Sequence, residues 1–257
     1  MTPAEAVLTL SSGAGEVYLR TAACCFLRAG AFVSLLPVLG DLLLPARLRL
    51  LAALALTAVI LPAAPAPDEL TLSTLFAEVG NGLILGAGFR FFLVAIQTAG
   101  TIAAQAGSLS QVFGPPGGEA QTGISSILSL AALALLCAMG LPQAAALLLL
   151  HSYEVMPQGH WPSAADISAW GLAGAVQSFR LAVSLAAPFL IAALMYNIAL
   201  GAVNRAMPML MVIWIGAPVL TFGMLVLLAA SAPLLLSLWL TAVEAWILDP
   251  FRGGSDI

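Results

Sequence analysis

Six apolar stretches dominate this chain, at roughly 18–39, 46–64, 79–105, 124–150, 172–200 and 209–247, and most are interrupted by a polar residue or a proline. About 20 consecutive apolar residues cross a bilayer as a helix, and each stretch approaches or exceeds that length. The third carries Arg90, Gln97 and Gln105, and the fifth carries Gln177, Arg180 and Asn197. Proline falls within apolar sequence at positions 37, 142, 188, 218 and 233. An interior proline removes a helical hydrogen bond and bends the helix. In lipid, the carbonyl it frees needs another partner. The pattern therefore predicts an all-α, membrane-associated fold of bent helical hairpins that pack against protein over much of their surface. The sixth stretch is long enough for two passes or one kinked hairpin, with Pro218 and Pro233 as its natural break points.

Composition serves mainly to exclude. Only 8% of residues are charged, against roughly a quarter in soluble domains, so the chain lacks the polar surface that water requires. It has no lysine, and its eight cations form no basic run, which sets aside nucleic acid as a partner. Without lysine there is no Walker A motif, Schiff base or lysine general base. His151 and His160 lack the spacing of a zinc site, and Gly117–Gly118 lacks the strand–helix setting of a phosphate loop. No catalytic residue, metal or cofactor is expected, and the chain reads as non-enzymatic. Cys24, Cys25 and Cys137 read as small packing residues. The N-terminal segment carries Glu5 and Glu16 with no early cation, unlike a cleaved signal peptide. With six passes, Arg47, Arg49 and Arg205 share one side, and Asp68, Glu69, Glu154 and Asp166 the other. The positive-inside rule then places the N-terminus outside.

Two helices carry polar stripes. Gly82, Gly86 and Arg90 follow at i+4 steps, and Gln97, Thr101 and Gln105 continue beyond them. That face is small or polar from end to end. It suits either close helix packing through a small-xxx-small motif or the lining of an aqueous or protein-filled conduit. In the fifth stretch, Gln177, Arg180 and Ser184 form one stripe, and Asn197, Gly201 and Asn204 form another that leads to Arg205. A charge in mid-bilayer is costly unless it faces protein or water. Glu78, the acid nearest Arg90 in sequence, lies about 18 Å away along a helix and cannot pair with it on one straight helix. Between the third and fourth stretches runs GSLSQVFGPPGGEAQTG, positions 107 to 123, far longer than a hairpin turn needs.

Particular residues carry a resemblance. Arg28, Pro37, Gly40, Pro45, Arg47 and Pro62 mark a first block, and Glu78, Gly82, Gly86, Ala99, Gly100, Gln105 and Gly107 a second. HSYEVMPQG and NRAMPMLMVIWIGAPV supply later blocks in the same order. Over about residues 20–225 the chain resembles the FliR/SctT family of type III export-gate subunits. Two positions depart from the family pattern: Met209 and Met211 replace a Gln and an Asn, and Gly114 stands where an acid is common.

The resemblance implies a P-subunit-like part, residues 1–168, followed by a Q-subunit-like C-terminal hairpin, residues 169–257. It implies assembly with P-type and Q-type subunits and further export-apparatus membrane proteins. The location it implies is the bacterial inner membrane, at a flagellar basal body or injectisome base, in contact with the lipid bilayer. Unfolded secreted proteins would pass through the channel so formed. In the family, the loop between the third and fourth apolar segments projects into that channel, which makes residues 107–122 the expected plug. Within it, Ser110, Gln111, Val112 and Phe113 precede the movable run Gly114, Pro115, Pro116, Gly117 and Gly118. The polar residues Gly82, Gly86, Arg90, Gln97, Gln105, Arg180, Asn197, Asn204 and Arg205 are expected to face other subunits. The residues alone leave a secondary transporter open, with an anionic solute bound at midplane arginines. A membrane-embedded enzyme is disfavoured, because no acid, base and nucleophile cluster together.

Overall fold

Proline and glycine set several helix boundaries in the computed structural model, which describes residues 13–40, 45–67, 69–108, 123–206 and 212–251. Helix α1 spans Gly13–Leu35. It stops where Pro37 enters, and the turn closes through Gly40 N–H donating to Leu36 O at 2.7 Å. Val38 sits in that turn at φ 72°, a conformation β-branched residues rarely adopt. Helix α2, Ala46–Ile60, starts directly after Pro45. Helix α3 covers Leu72–Ser108, and α4 covers Gly123–Ala138. Helix α5, Leu141–Val155, follows Gly140 at φ 87° and has Pro142 in its first turn, where a missing N–H costs nothing. Helix α6, Ala164–Ala206, contains Pro188. Ser163 opens it by accepting from Asp166 N–H at 3.1 Å and donating to Asp166 Oδ2 at 2.7 Å. Helix α7 covers Val212–Leu248.

The protein is an all-α membrane protein, and among the described residues there is no strand. The six predicted stretches need revision as spans. Helices α1, α3, α6 and α7 each contain a segment long and apolar enough to cross a membrane, and α4 with α5 forms a pair bent by 72° that adds at most a fifth span. The predicted stretch at 46–64 yields a helix of only 15 residues, because the chain turns at Leu61–Pro62. An orientation counted on six crossings therefore loses its basis. The predicted break points also differ. Helix α7 runs without interruption through Pro218 and Pro233, whereas the sharp break falls at left-handed Gly140. His151, expected in a loop, lies on α5 and pairs with Glu154 at 3.3 Å.

The chain forms two compact units. The first comprises the described residues of Met1–Phe91, Cys137–Gly174 and Ala245–Ile257. In it, α2 packs against α1 and α5. Its core includes Phe32, Phe89 and Trp246, with ring centroids 6.0 Å apart for the first pair and 5.1 Å, edge to face, for the second. The second unit comprises Phe92–Leu136 and Ala175–Glu244. Its centre is Trp239, fully buried, whose indole N–H donates to Phe92 O at 2.9 Å.

Candidate functional site

The first unit is fastened by a charged seam between α1 and α3. Glu78, Gly82 and Gly86 recur every four residues and so share one face of α3. Opposite them lie Arg28, Phe32 and Leu35 of α1. A methyl group at Gly82 would collide with the Arg28 carbonyl oxygen, and one at Gly86 would lie 2.7 Å from Leu35 Cβ and 3.0 Å from Phe32 O. The two backbones approach this closely only because no side chain intervenes.

That approach delivers Arg28 to Glu78. Arg28 Nε donates to Glu78 Oε2 at 2.8 Å and Nη2 to Oε1 at 3.0 Å, and neither side chain touches solvent. Nη1 donates to Ser152 Oγ and Nη2 also to Met156 O, both at 3.0 Å. The Tyr153 ring lies 3.9 Å beneath the guanidinium carbon, and its hydroxyl is 3.4 Å from Cys25 Sγ. Glu78 Oε1 accepts a further bond from Gly159 N–H at 2.8 Å. A buried pair is tolerable only when its remaining donors and acceptors are satisfied, and this one is bonded at nearly every valence. The same stretch of α3 docks the segment after α5: Asn81 Nδ2 donates to His160 O at 3.1 Å, and the Trp161 ring covers Gly80. One ion pair thus ties together α1, α3, α5 and residues 156–161.

Within the second unit, the far end of α3 is stapled to the start of α4. Ser125 Oγ donates to Gln97 O at 3.0 Å, which also accepts from Thr101 Oγ1 at 2.9 Å. Gly100 lies against Ser125 so closely that a methyl there would collide with the Ser125 backbone. Helix α3 then ends at Ser108, and α4 begins at Gly123. Gly107 is buried beside Met224. The remainder of the expected plug, with Ser110, Gln111, Val112, Phe113, Gly114, Pro115, Pro116, Gly117 and Gly118, lies outside the described residues, as do Met209 and Met211.

The polar stripe of α3 therefore meets several environments. Gly82 and Gly86 are buried in the seam, Gln97 is partly buried, and Arg90 and Gln105 are exposed. On α6, Arg180, Asn197 and Arg205 are exposed and Asn204 is partly so. Cys24 and Cys25 are buried as expected, while Cys137 is exposed. Among the described residues, no group of three His, Cys, Asp or Glu side chains is arranged to hold a metal ion. The Arg28–Glu78 pair was not anticipated from sequence, since its members lie 50 positions apart. The available signal was that each is an ionisable residue set at a helix face among apolar residues, and each belongs to a family block.

Comparison with known proteins converges on one family. The profile described as bacterial export proteins, family 1, matches residues 19–246. The chain is 32% identical over 233 residues to the flagellar biosynthetic protein FliR of Caulobacter vibrioides, covering 87% of this chain and 92% of that protein. It is 31% identical over 219 residues to the flagellar biosynthetic protein FliR of Escherichia coli, covering 81% and 83%.

Proposed function

The chain belongs to the bacterial export proteins, family 1, as a component of the flagellar export apparatus, and from that premise we propose that it is a non-enzymatic subunit of the export gate. It assembles with P-type and Q-type subunits in the bacterial inner membrane, around a channel for unfolded flagellar proteins. The observation that carries this reading is apolar surface without cover. Helix α6 has 43 residues, roughly 64 Å of length, against a hydrocarbon core of about 30 Å. Only 28% of its most apolar window is buried, and 22% for α7. A helix of that length does not fit all of its apolar surface into lipid, so neighbouring protein has to cover the rest.

In this reading residues 1–168 form the P-like part and 169–257 the Q-like hairpin. Residues 107–122 plug the channel, with Phe113 as the apolar stopper and the Gly/Pro run as its hinge. Support comes from the staple at Gln97, Gly100 and Ser125, which holds together the helices on either side of that segment, α3 and α4. Moving gates belong to the low-stability end of a structure. Arg90, Gln105, Asn197, Asn204 and Arg205 then serve as subunit contacts. Mild detergent extraction should release the chain in complex with P- and Q-type subunits. A stable monomer that takes up an anionic solute by itself would overturn the proposal in favour of a transporter.

A further inference from the structure

We propose that the outer face of α6 around Arg180 docks an apolar helix of a partner subunit that carries a carboxylate at the matching depth. This deepens the gate reading and rests on it. At 3.6 residues per turn, Arg180 points about 180° away from the side of α6 that packs inward, marked by the buried Ser178, Leu185 and Phe189. Arg180 is exposed, and among the described residues it makes no ion pair. Within its stripe, Ser184 Oγ donates to Arg180 O at 2.9 Å, a bond internal to the helix. One turn away along α6, Val176 and Val183 flank Arg180 on one side and the exposed Gln177 and Ser184 on the other, and Val176, Phe179 and Val183 are 51%, 66% and 40% exposed.

Three occupants could compensate that charge, and the surroundings choose among them. A lipid phosphate is too far away. Trp170 and Asp166 mark the polar end of α6, and Arg180 lies ten residues beyond Trp170, roughly 15 Å along the axis. That depth is about half of a 30 Å hydrocarbon core, beyond the reach of a snorkelling side chain. In the other direction no charged residue occurs before Arg205. A water-filled lumen would not need a rim of exposed valine and phenylalanine. An arginine bordered along one side by large exposed apolar side chains is instead the pattern of an interface, where neighbours exclude water and the charge meets a desolvated partner. Gln177, exposed on the same stripe, offers a second donor to one carboxylate.

The test uses the complete gate, co-expressed with its partner subunits and isolated from membranes. Arg180→Glu should lower the yield of assembled complex by about tenfold or more, Arg180→Leu should lower it several-fold, and Arg180→Lys should retain most of it. A benzophenone amino acid at Phe179 should crosslink to a partner helix bearing Asp or Glu, and reversing that acid to arginine should rescue Arg180→Glu alone. Parental yield from both Arg180→Leu and Arg180→Glu would overturn the proposal, as would crosslinks to lipid only. Normal assembly with altered ion leakage would also overturn it, by assigning the face to the conduit. Should the parental chain itself yield no complex, the gate reading fails first, and the docking surface falls with it.

Discussion

Arg28 and Arg180 are both arginines set in long apolar helices, and the chain treats them in opposite ways. Around Arg28 every requirement of a buried charge is met internally: a bidentate acid, a serine, a backbone carbonyl and an aromatic face. Around Arg180, among the described residues, none is, although large apolar residues such as Phe179 and Val183 stand beside it in the helix. The difference separates two kinds of polar group that hydropathy alone scores alike. One completes a fold within the chain. The other marks a surface that is finished only in an assembly.

Breaking the internal pair should have the largest effect. Arg28→Leu or Glu78→Leu alone leaves an uncompensated buried charge and is expected to cost about 3–5 kcal/mol, seen as loss of folded chain in detergent unfolding. Replacing both with leucine should cost much less than the sum, and the double-mutant cycle should show strong coupling. A purely additive result would mean that the pair is not formed.

That pair also shows how far the sequence could be read. The all-α membrane character followed from apolar runs, and the small residues at 82 and 86 were visible as a packing motif because helical spacing is a local property. What joins Arg28 to Glu78 is not local: it depends on how closely α1 approaches α3, which Gly82 and Gly86 decide in three dimensions. Prolines were over-read as breaks. Pro233 lies within an unbroken α7 because a long helix can lose one hydrogen bond and continue, whereas Gly140 ends α4 by taking a left-handed conformation that helices cannot continue. Gly86 and Arg90 shared a stripe by count, yet each step of four residues drifts by about 40° around the helix, so Gly86 is buried in the seam while Arg90 is exposed. The plug segment lies outside the described residues, and its role rests on the resemblance and on its flanks.

Smaller effects sharpen the same contrast. Gly82→Ala should destabilise by about 1–3 kcal/mol, because its methyl meets the Arg28 backbone and pushes the seam apart. Gly86→Ala should cost less, since its nearest neighbour is the Leu35 side chain. In the second unit, Trp239→Phe keeps most of the ring and loses one buried hydrogen bond to Phe92 O, worth about 1 kcal/mol by the shift of the unfolding midpoint. At the far end of the scale, Arg180→Leu should change the stability of the chain itself by no more than about 0.5 kcal/mol. A large loss there would mean that Arg180 holds the fold, as Arg28 does, and the contrast would collapse.

The most direct measurement is ion conductance of the assembled gate in a planar bilayer, with and without residues 110–120. The complex with the shortened chain should assemble normally and leak small ions well above the parental level. Equal conductance from two equally assembled complexes would contradict the plug, and with it the assignment of this chain as the subunit that closes the channel.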